Sequence, residues 1–324
     1  MEAKDVVHDL LEKAICAHIS DIFFRSKKQK IAVFFRWDEK IVQQKTFDRS
    51  LGQEIINFLK YSAQMNISEH RRPQVGALKY CYQNQDYYLR LSSLGDFYDQ
   101  ESLVIRIIYQ ISLSNYFFPD QIQQLIDLTK KKGLIVTSGP TGSGKTTTMY
   151  KLAKRVGQEK MVMTIEDPVE VEEVDFLQTQ VNNEAEIDYQ TLLKAALRHR
   201  PDILIIGEIR DPQTARLAVD AALSGHLVLA TVHAKSTLQT ISRLEGLQIS
   251  NSELANCLTA VSYQRLLPKE TGLACLLDLC YGKALTANIG QKVRANFISW
   301  QENLQLLVKR GEITDGVYKD FKEG

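Results

Sequence analysis

The sequence predicts an α/β protein: a parallel sheet with helices on both faces in its second part, a separate mixed α/β unit ahead of it, and a mainly helical tail. Three observations carry this. Beyond about residue 120, short wholly apolar runs such as "LIVTSG", "DILIIG" and "HLVLATVHA" alternate with amphipathic segments, as expected of strands buried on both faces and joined through helices. Before about residue 110 the apolar runs are instead aromatic and β-branched and are separated by turn formers. With 324 residues the chain has room for two domains.

The first element is a helix over about 3 to 17, with Val6, Val7, Leu10, Leu11, Ala14 and Ile15 at helical spacing. "DIFFR" and "KIAVFFRW" read as strands and "SLGQEIINFLKYSAQ" as a second amphipathic helix. "ALKYCYQNQDYYLRLSSL" and "ESLVIRIIYQ" are further strands, with hairpin signals at Asn84 and at Gly95-Asp96. The proline and turn formers of "SLSNYFFPD" mark a boundary. A helix over 120 to 131 follows, closed by Gly133 after a lysine triplet suited to a helix C-terminus. Then come the strand "LIVTSG", the strand "MVMTIED", the helix "DYQTLLKAALRHR", the strand "DILIIG", the helix "PQTARLAVDAALS" and the strand "HLVLATVHA". The expected layout is an N-terminal α/β domain over 1–110, a linker over 111–119, a core over 120–234 and a mainly helical subdomain over 235–324, with one strand pair near "GLACLLDLCYGK".

Composition excludes more than it assigns. Forty Lys and Arg against 39 Asp and Glu leave a net charge of +1, which gives no general electrostatic grip on nucleic acid or an acidic membrane. The N-terminus mixes acids and bases, unlike a secretory signal, and no run reaches the roughly 18 apolar residues of a spanning helix. A cytoplasmic protein, at most peripheral to a membrane, is expected. The five cysteines form no C-x-x-C pair, and Cys275 and Cys280 have no second pair to complete a metal site. They read as buried reduced thiols, and no zinc is expected.

The chemistry begins directly after "LIVTS". "GPTGSGKTTT" places Gly139, Gly144, Lys145 and Thr146 in the pattern G-x-x-x-x-G-K-[ST], between a strand and a helix as that motif requires. Backbone N–H groups over Thr141, Gly142, Ser143, Gly144, Lys145, Thr146 and Thr147 can wrap a triphosphate, with the helix N-terminus adding its positive end. Lys145 should reach the β- and γ-phosphates, and the Thr146 hydroxyl should meet Mg²⁺. Glu208 ends the strand "DILIIG", where ligands of such folds lie, and reads as the acid that orients the attacking water; Asp211 and Pro212 begin the next helix. Gly207 stands where many such ATPases carry an aspartate that supports magnesium.

Taken together, "GPTGSGKTTT", "TIEDPVE", "ILIIGEIRD" and "SGHLVLATVHA" resemble the secretion and type IV pilus traffic ATPases, over about residues 120 to 265. The resemblance implies a RecA-like P-loop ATPase core behind a PAS-like N-terminal domain. It assigns Glu166, Asp167 and Glu170 to magnesium and water positioning, with Glu166 second to Glu208 in polarising the water; alone, "EDP" reads as a strand end with a turn. His226 and His233 bracket a strand and by themselves read as structural, whereas the resemblance implies γ-phosphate sensing. "HAKS" departs from the usual ending of that box. "ISDIFFR" is similar to another family segment, with Phe23 replacing a histidine. "YYLRLSS" and "ESLVIRII" look like the strands that carry trans-acting arginine fingers, which would be Arg90 and Arg106.

The short form, the absence of a four-cysteine element after "SYQRLLPK", and "RRPQVGAL" resemble the Gram-positive competence subgroup. That implies a homo-hexameric, ATP- and Mg²⁺-dependent motor at the inner face of the cell membrane. Its implied partners are a polytopic platform protein and the pseudopilin machinery, with DNA handled only indirectly. Competing readings are a retraction motor of the same family, a DNA translocase with a RecA-like core, and a non-hydrolysing nucleotide-gated adaptor.

Overall fold

The computed structural model describes residues 2–27, 29–37, 40–109, 116–182, 185–270 and 272–324. Residues 111–115 of the expected linker lie outside these. The chain divides into two compact units, Met1–Gln110 and Ile111–Gly324.

The first unit is built on a six-stranded antiparallel sheet. Its strands are β1 (Asp21–Lys27), β2 (Lys30–Trp37), β3 (Lys40–Asp48), β4 (Gln74–Tyr82), β5 (Gln85–Gly95) and β6 (Glu101–Ile108), in the order β3-β2-β1-β6-β5-β4. Helices α1 (Ala3–Cys16) and α2 (Arg49–Ser62) bury their apolar faces with it, α1 through Val6, Val7, Leu10, Leu11, Ala14 and Ile15. Each fully buried aliphatic of this kind contributes about 1.5–3 kcal/mol. Asp48 caps α2 by accepting from Leu51 N–H. Gln83 and Asn84 both take positive φ, the geometry that lets a two-residue turn follow the twist of its hairpin. β3 escapes the periodicity of the sequence because this edge strand is largely exposed along its length. The expectation of buried thiols is corrected for Cys16 and Cys81, which are exposed at a helix end and on an edge strand; Cys257, Cys275 and Cys280 are buried, and all five are free.

The second unit holds a seven-stranded sheet of β7 (Gly133–Ser138), β8 (Val162–Glu166), β9 (Phe176–Gln180), β10 (Ile203–Ile206), β11 (Leu227–Val232), β12 (Leu258–Lys269) and β13 (Gly272–Tyr281). The order is β13-β12-β7-β11-β10-β8-β9, parallel except for β13. Alternate residues feed two cores. Leu134, Val136, Leu204, Ile206 and Val228 face a cluster shared with α5 (Tyr189–His199), α6 (Pro212–Leu223), α7 (Thr237–Gly246) and α8 (Asn251–Cys257). Ile135, Ile203, Ile205 and Leu229 face one shared with α3 (Pro119–Thr129) and α4 (Lys145–Val156).

The segment from 235 onward contributes more than helices. Beside α7, α8, α9 (Gly282–Asn288), α10 (Trp300–Lys309) and α11 (Asp315–Phe321), it supplies β12 and β13, and β12 runs parallel to β7 inside the main sheet. Trp300, wholly buried, anchors α10 and α11 against Tyr263 of β12 and Phe297.

Candidate functional site

The parallel register brings the carboxyl ends of four strands to one edge: Ser138 of β7 lies beside Val232 of β11, Ala230 of β11 beside Ile206 of β10, and Ile206 beside Ile165 of β8. Every strand-end residue of interest except His226 belongs to this edge.

After β7 the chain turns through Gly139, Gly142 and Gly144, all at positive φ (147°, 79° and 81°). That conformation strains any side chain. A Cβ at Gly139 would lie 2.4 Å from the Gln264 carbonyl oxygen, so the loop sits directly on β12. Thr141 and Gly142 are exposed, Ser143 is buried, and Thr146 and Thr147 lie in the first turn of α4. Lys145 Nζ donates to the carbonyls of Gly139 (2.9 Å) and Pro140 (2.8 Å). Burial lowers its pKa, and the charges of Glu208 and Glu170 oppose that, which places both acids within electrostatic reach of the ammonium.

Beyond β10, Ile209 N–H donates to Thr231 O (2.8 Å) and Thr231 Oγ1 to Gly207 O (2.5 Å), pinning the extended stretch to β11. Ile209 is buried, so its neighbours Glu208 and Arg210 share the opposite side. Arg210 Nε donates to Glu208 Oε2 at 2.6 Å, and His233, just past β11, reaches Glu208 Oε1 at 3.2 Å. Arg210 also approaches Asp167 at 3.7 Å. Because β11 lies between β7 and β10, His233 stands between the glycine-rich loop and the acid. A cavity of about 200 Å³, lined by Asp167, Tyr189, Glu208, Arg210, Asp211 and Thr214, opens beside this cluster. A Cβ at Gly207 would lie 3.2 Å from Tyr189 Oη and 3.3 Å from Ile165 O, so the close packing leaves little space for a side chain there.

Glu166 is differently placed. It is buried, and its Oε1 accepts from Tyr150 Oη (2.5 Å) and Thr164 Oγ1 (2.6 Å). Burial raises its pKa against those two hydrogen bonds. The acid is tied to α4 through Tyr150, which in turn accepts from Gln178 Nε2 (2.8 Å).

The structure does not bring His226 to the cluster. It precedes β11, with Nδ1 3.0 Å from Ala221 O, and lies seven residues from His233, about 23 Å along a strand. Arg90 and Arg106 belong to the first unit, where they are cross-strand partners on β5 and β6; Arg106 Nε donates to Asp21 at 2.9 Å. Arg210, Tyr150 and Gln264 are the residues that sequence reasoning missed. Only Arg210 carried a signal, its spacing of two from Glu208 in "GEIRD".

Comparison with known proteins identifies the family. The family described as Type II/IV secretion system protein matches residues 2–295. Competence protein ComGA of Streptococcus pneumoniae is 36% identical over 311 residues, covering 96% of each chain. Competence protein ComGA of Bacillus subtilis is 33% identical over 332 residues, covering 94% of this chain and 93% of its own. Among solved structures, the ATPase DotB of Legionella pneumophila aligns with a TM-score of 0.76 at 19% identity, over 97% of this chain and 94% of its own. The pilus retraction motor PilT with bound ADP aligns with a TM-score of 0.71 at 24% identity, over 97% and 96%. At those identities the structural likeness is one of fold.

Proposed function

This chain belongs to the type II/IV secretion system protein family and is an ATP-hydrolysing enzyme, and we propose that it is the motor that assembles a competence pseudopilus for DNA uptake. The hydrolytic part rests on one observation, the convergence of Glu208, His233 and Arg210 at strand ends beside the loop of Lys145. The competence part rests on relatives of that name matched over nearly the whole chain.

The residues present fit a triphosphate. Three glycines at positive φ shape the loop; among the described residues Ser143 Oγ is buried without a partner and Lys145 Nζ donates to the backbone carbonyls of Gly139 and Pro140. Among the described residues no three His, Cys, Asp or Glu side chains converge as a metal-holding set. Thr146 would hold a magnesium ion together with Asp167 or Glu170, the remaining ligands being phosphate and water oxygens. When bound, the ion supplies charge neutralisation at the phosphates.

In this reading Lys145 leaves the Gly139 and Pro140 carbonyls for the phosphates, and Glu208 accepts the proton of the attacking water. Arg210 and His233 hold the two oxygens of that carboxylate in place. His233 senses the terminal phosphate. Glu166 couples the end of β8 to α4 through Tyr150. Six copies form a closed ring in which Arg90 and Arg106 of a neighbour steady the developing charge. Among the described residues no helix is long and apolar enough to cross a membrane; the ring works at the inner face of the membrane through a platform protein.

Deletion in the native host tests this, with surface filaments and DNA uptake as readouts. Both should disappear, return with the parent gene and fail to return with Lys145→Ala. Filaments that persist or accumulate while uptake fails would make the protein a retraction motor. No change in either would end the motor reading.

A further inference from the structure

Gln264 is fully buried on β12, 121 residues from the loop it touches. The parallel register explains how it arrives there. Ser262 pairs with Thr137 and Tyr263 with Ser138, so the next residue of β12 meets the start of the glycine-rich loop. Its Nε2 donates to Ser143 O at 2.6 Å, and a Cβ on Gly139 would strike its carbonyl oxygen at 2.4 Å.

A trans peptide is planar, with its C=O and the following N–H pointing in opposite directions. A Ser143 carbonyl drawn down onto Gln264 therefore turns the Gly144 N–H up, toward the open side of the loop where Thr141 and Gly142 are exposed. Only this sense of the side-chain amide serves, since the reverse would set Gln264 Oε1 against the Ser143 oxygen. The cost is visible on both residues: Gln264 Oε1 and Ser143 Oγ are buried without a hydrogen-bond partner among the described residues. An unpaired buried polar atom is unfavourable. An apolar side chain would avoid that cost on β12, but would leave the Ser143 carbonyl unheld.

We infer that Gln264 is the positioning residue of the phosphate loop, aiming the Gly144 N–H at a triphosphate by fixing the Ser143 carbonyl from below. The inference rests on the reading that this loop takes a triphosphate. It acts on the phosphates alone, and the water-orienting cluster around Glu208 is independent of it.

The test is titration calorimetry with Mg-ATP and with inorganic tripolyphosphate, which has neither base nor ribose, on the parent, Gln264→Leu and Gln264→Met. Both variants should weaken both ligands by the same factor, about tenfold. The KM for ATP should rise by that factor while kcat falls by less, a split that a general loss of folding would not produce. A folded variant that binds tripolyphosphate as the parent does would overturn the inference. Should neither variant fold, the parent still decides: its Gly144 amide resonance must shift at saturation with tripolyphosphate, and an unmoved resonance overturns the assignment. Failure of the parent to bind either ligand would instead remove the nucleotide reading itself, and this inference with it.

Discussion

Glu208→Gln tests the water-activating role proposed for this acid. The substitution keeps the size of the side chain and an oxygen for Arg210, and removes the charge that Arg210 holds at 2.6 Å and His233 meets at 3.2 Å. The guanidinium is 58% exposed, so the lost ion pair is worth about 0.5–1 kcal/mol once solvent screening is allowed for. For a unit of this size that moves the unfolding midpoint by less than about 4 °C. The effect on catalysis is far larger. A positioned general base supplies about 10²–10⁴ in rate, or about 3–5 kcal/mol of barrier. ATP affinity should hold or tighten, because one negative charge near the phosphates is gone. Phosphate release followed in single turnovers, beside binding of a fluorescent ATP analogue, measures both quantities. A rate within tenfold of the parent would remove Glu208 from its role, and joint loss of binding and turnover would show that the loop, not the chemistry, had been disturbed.

Other outcomes follow from the same geometry. Arg210→Ala should lower kcat about fivefold to tenfold, the worth of a half-exposed charge-assisted bond, with partial recovery in Arg210→Lys; unchanged steady-state rates would show that Arg210 does not hold Glu208. For Glu166 the folded pKa is raised above the ordinary 4.5 by burial. Its stabilising contribution is therefore full below that value and is lost as pH rises through the folded pKa. Urea midpoints of the parent, taken relative to Glu166→Gln, should decline from pH 4.5 toward neutrality, and a flat difference would contradict the assigned burial. Asp278 is fully buried and accepts from Ile298 N–H (2.9 Å), Ser299 N–H (2.6 Å), Ser299 Oγ (3.1 Å) and Thr237 Oγ1. Asp278→Ala strands these donors and should cost about 3–5 kcal/mol in denaturant unfolding, with a loss under 1 kcal/mol refuting the network's importance. Chains carrying Arg90→Ala and Arg106→Ala, mixed with Lys145→Ala chains, should regain shared ATPase activity, and no recovery at any ratio would rule out arginines acting across subunits.

The sequence by itself determined the features that are local along the chain. The loop over 139–147 is legible because its motif is written in consecutive residues, and the apolar strands because burial on both faces leaves an unbroken run. Glu208 could be found for the same reason, as a charge at the end of such a run. Tertiary structure decided everything that depends on which strand lies beside which. Spacing alone could not tell His233 from His226, since both flank β11 and only the parallel direction of the sheet puts one at the site and the other about 23 Å away. β3 and β9 were missed because exposed edge strands keep little apolar pattern. Gln264 was out of reach for a further reason: a polar residue inside a strand has meaning only through the carbonyl it holds, and that carbonyl belongs to a loop 121 residues earlier, brought beneath it when β12 pairs with β7.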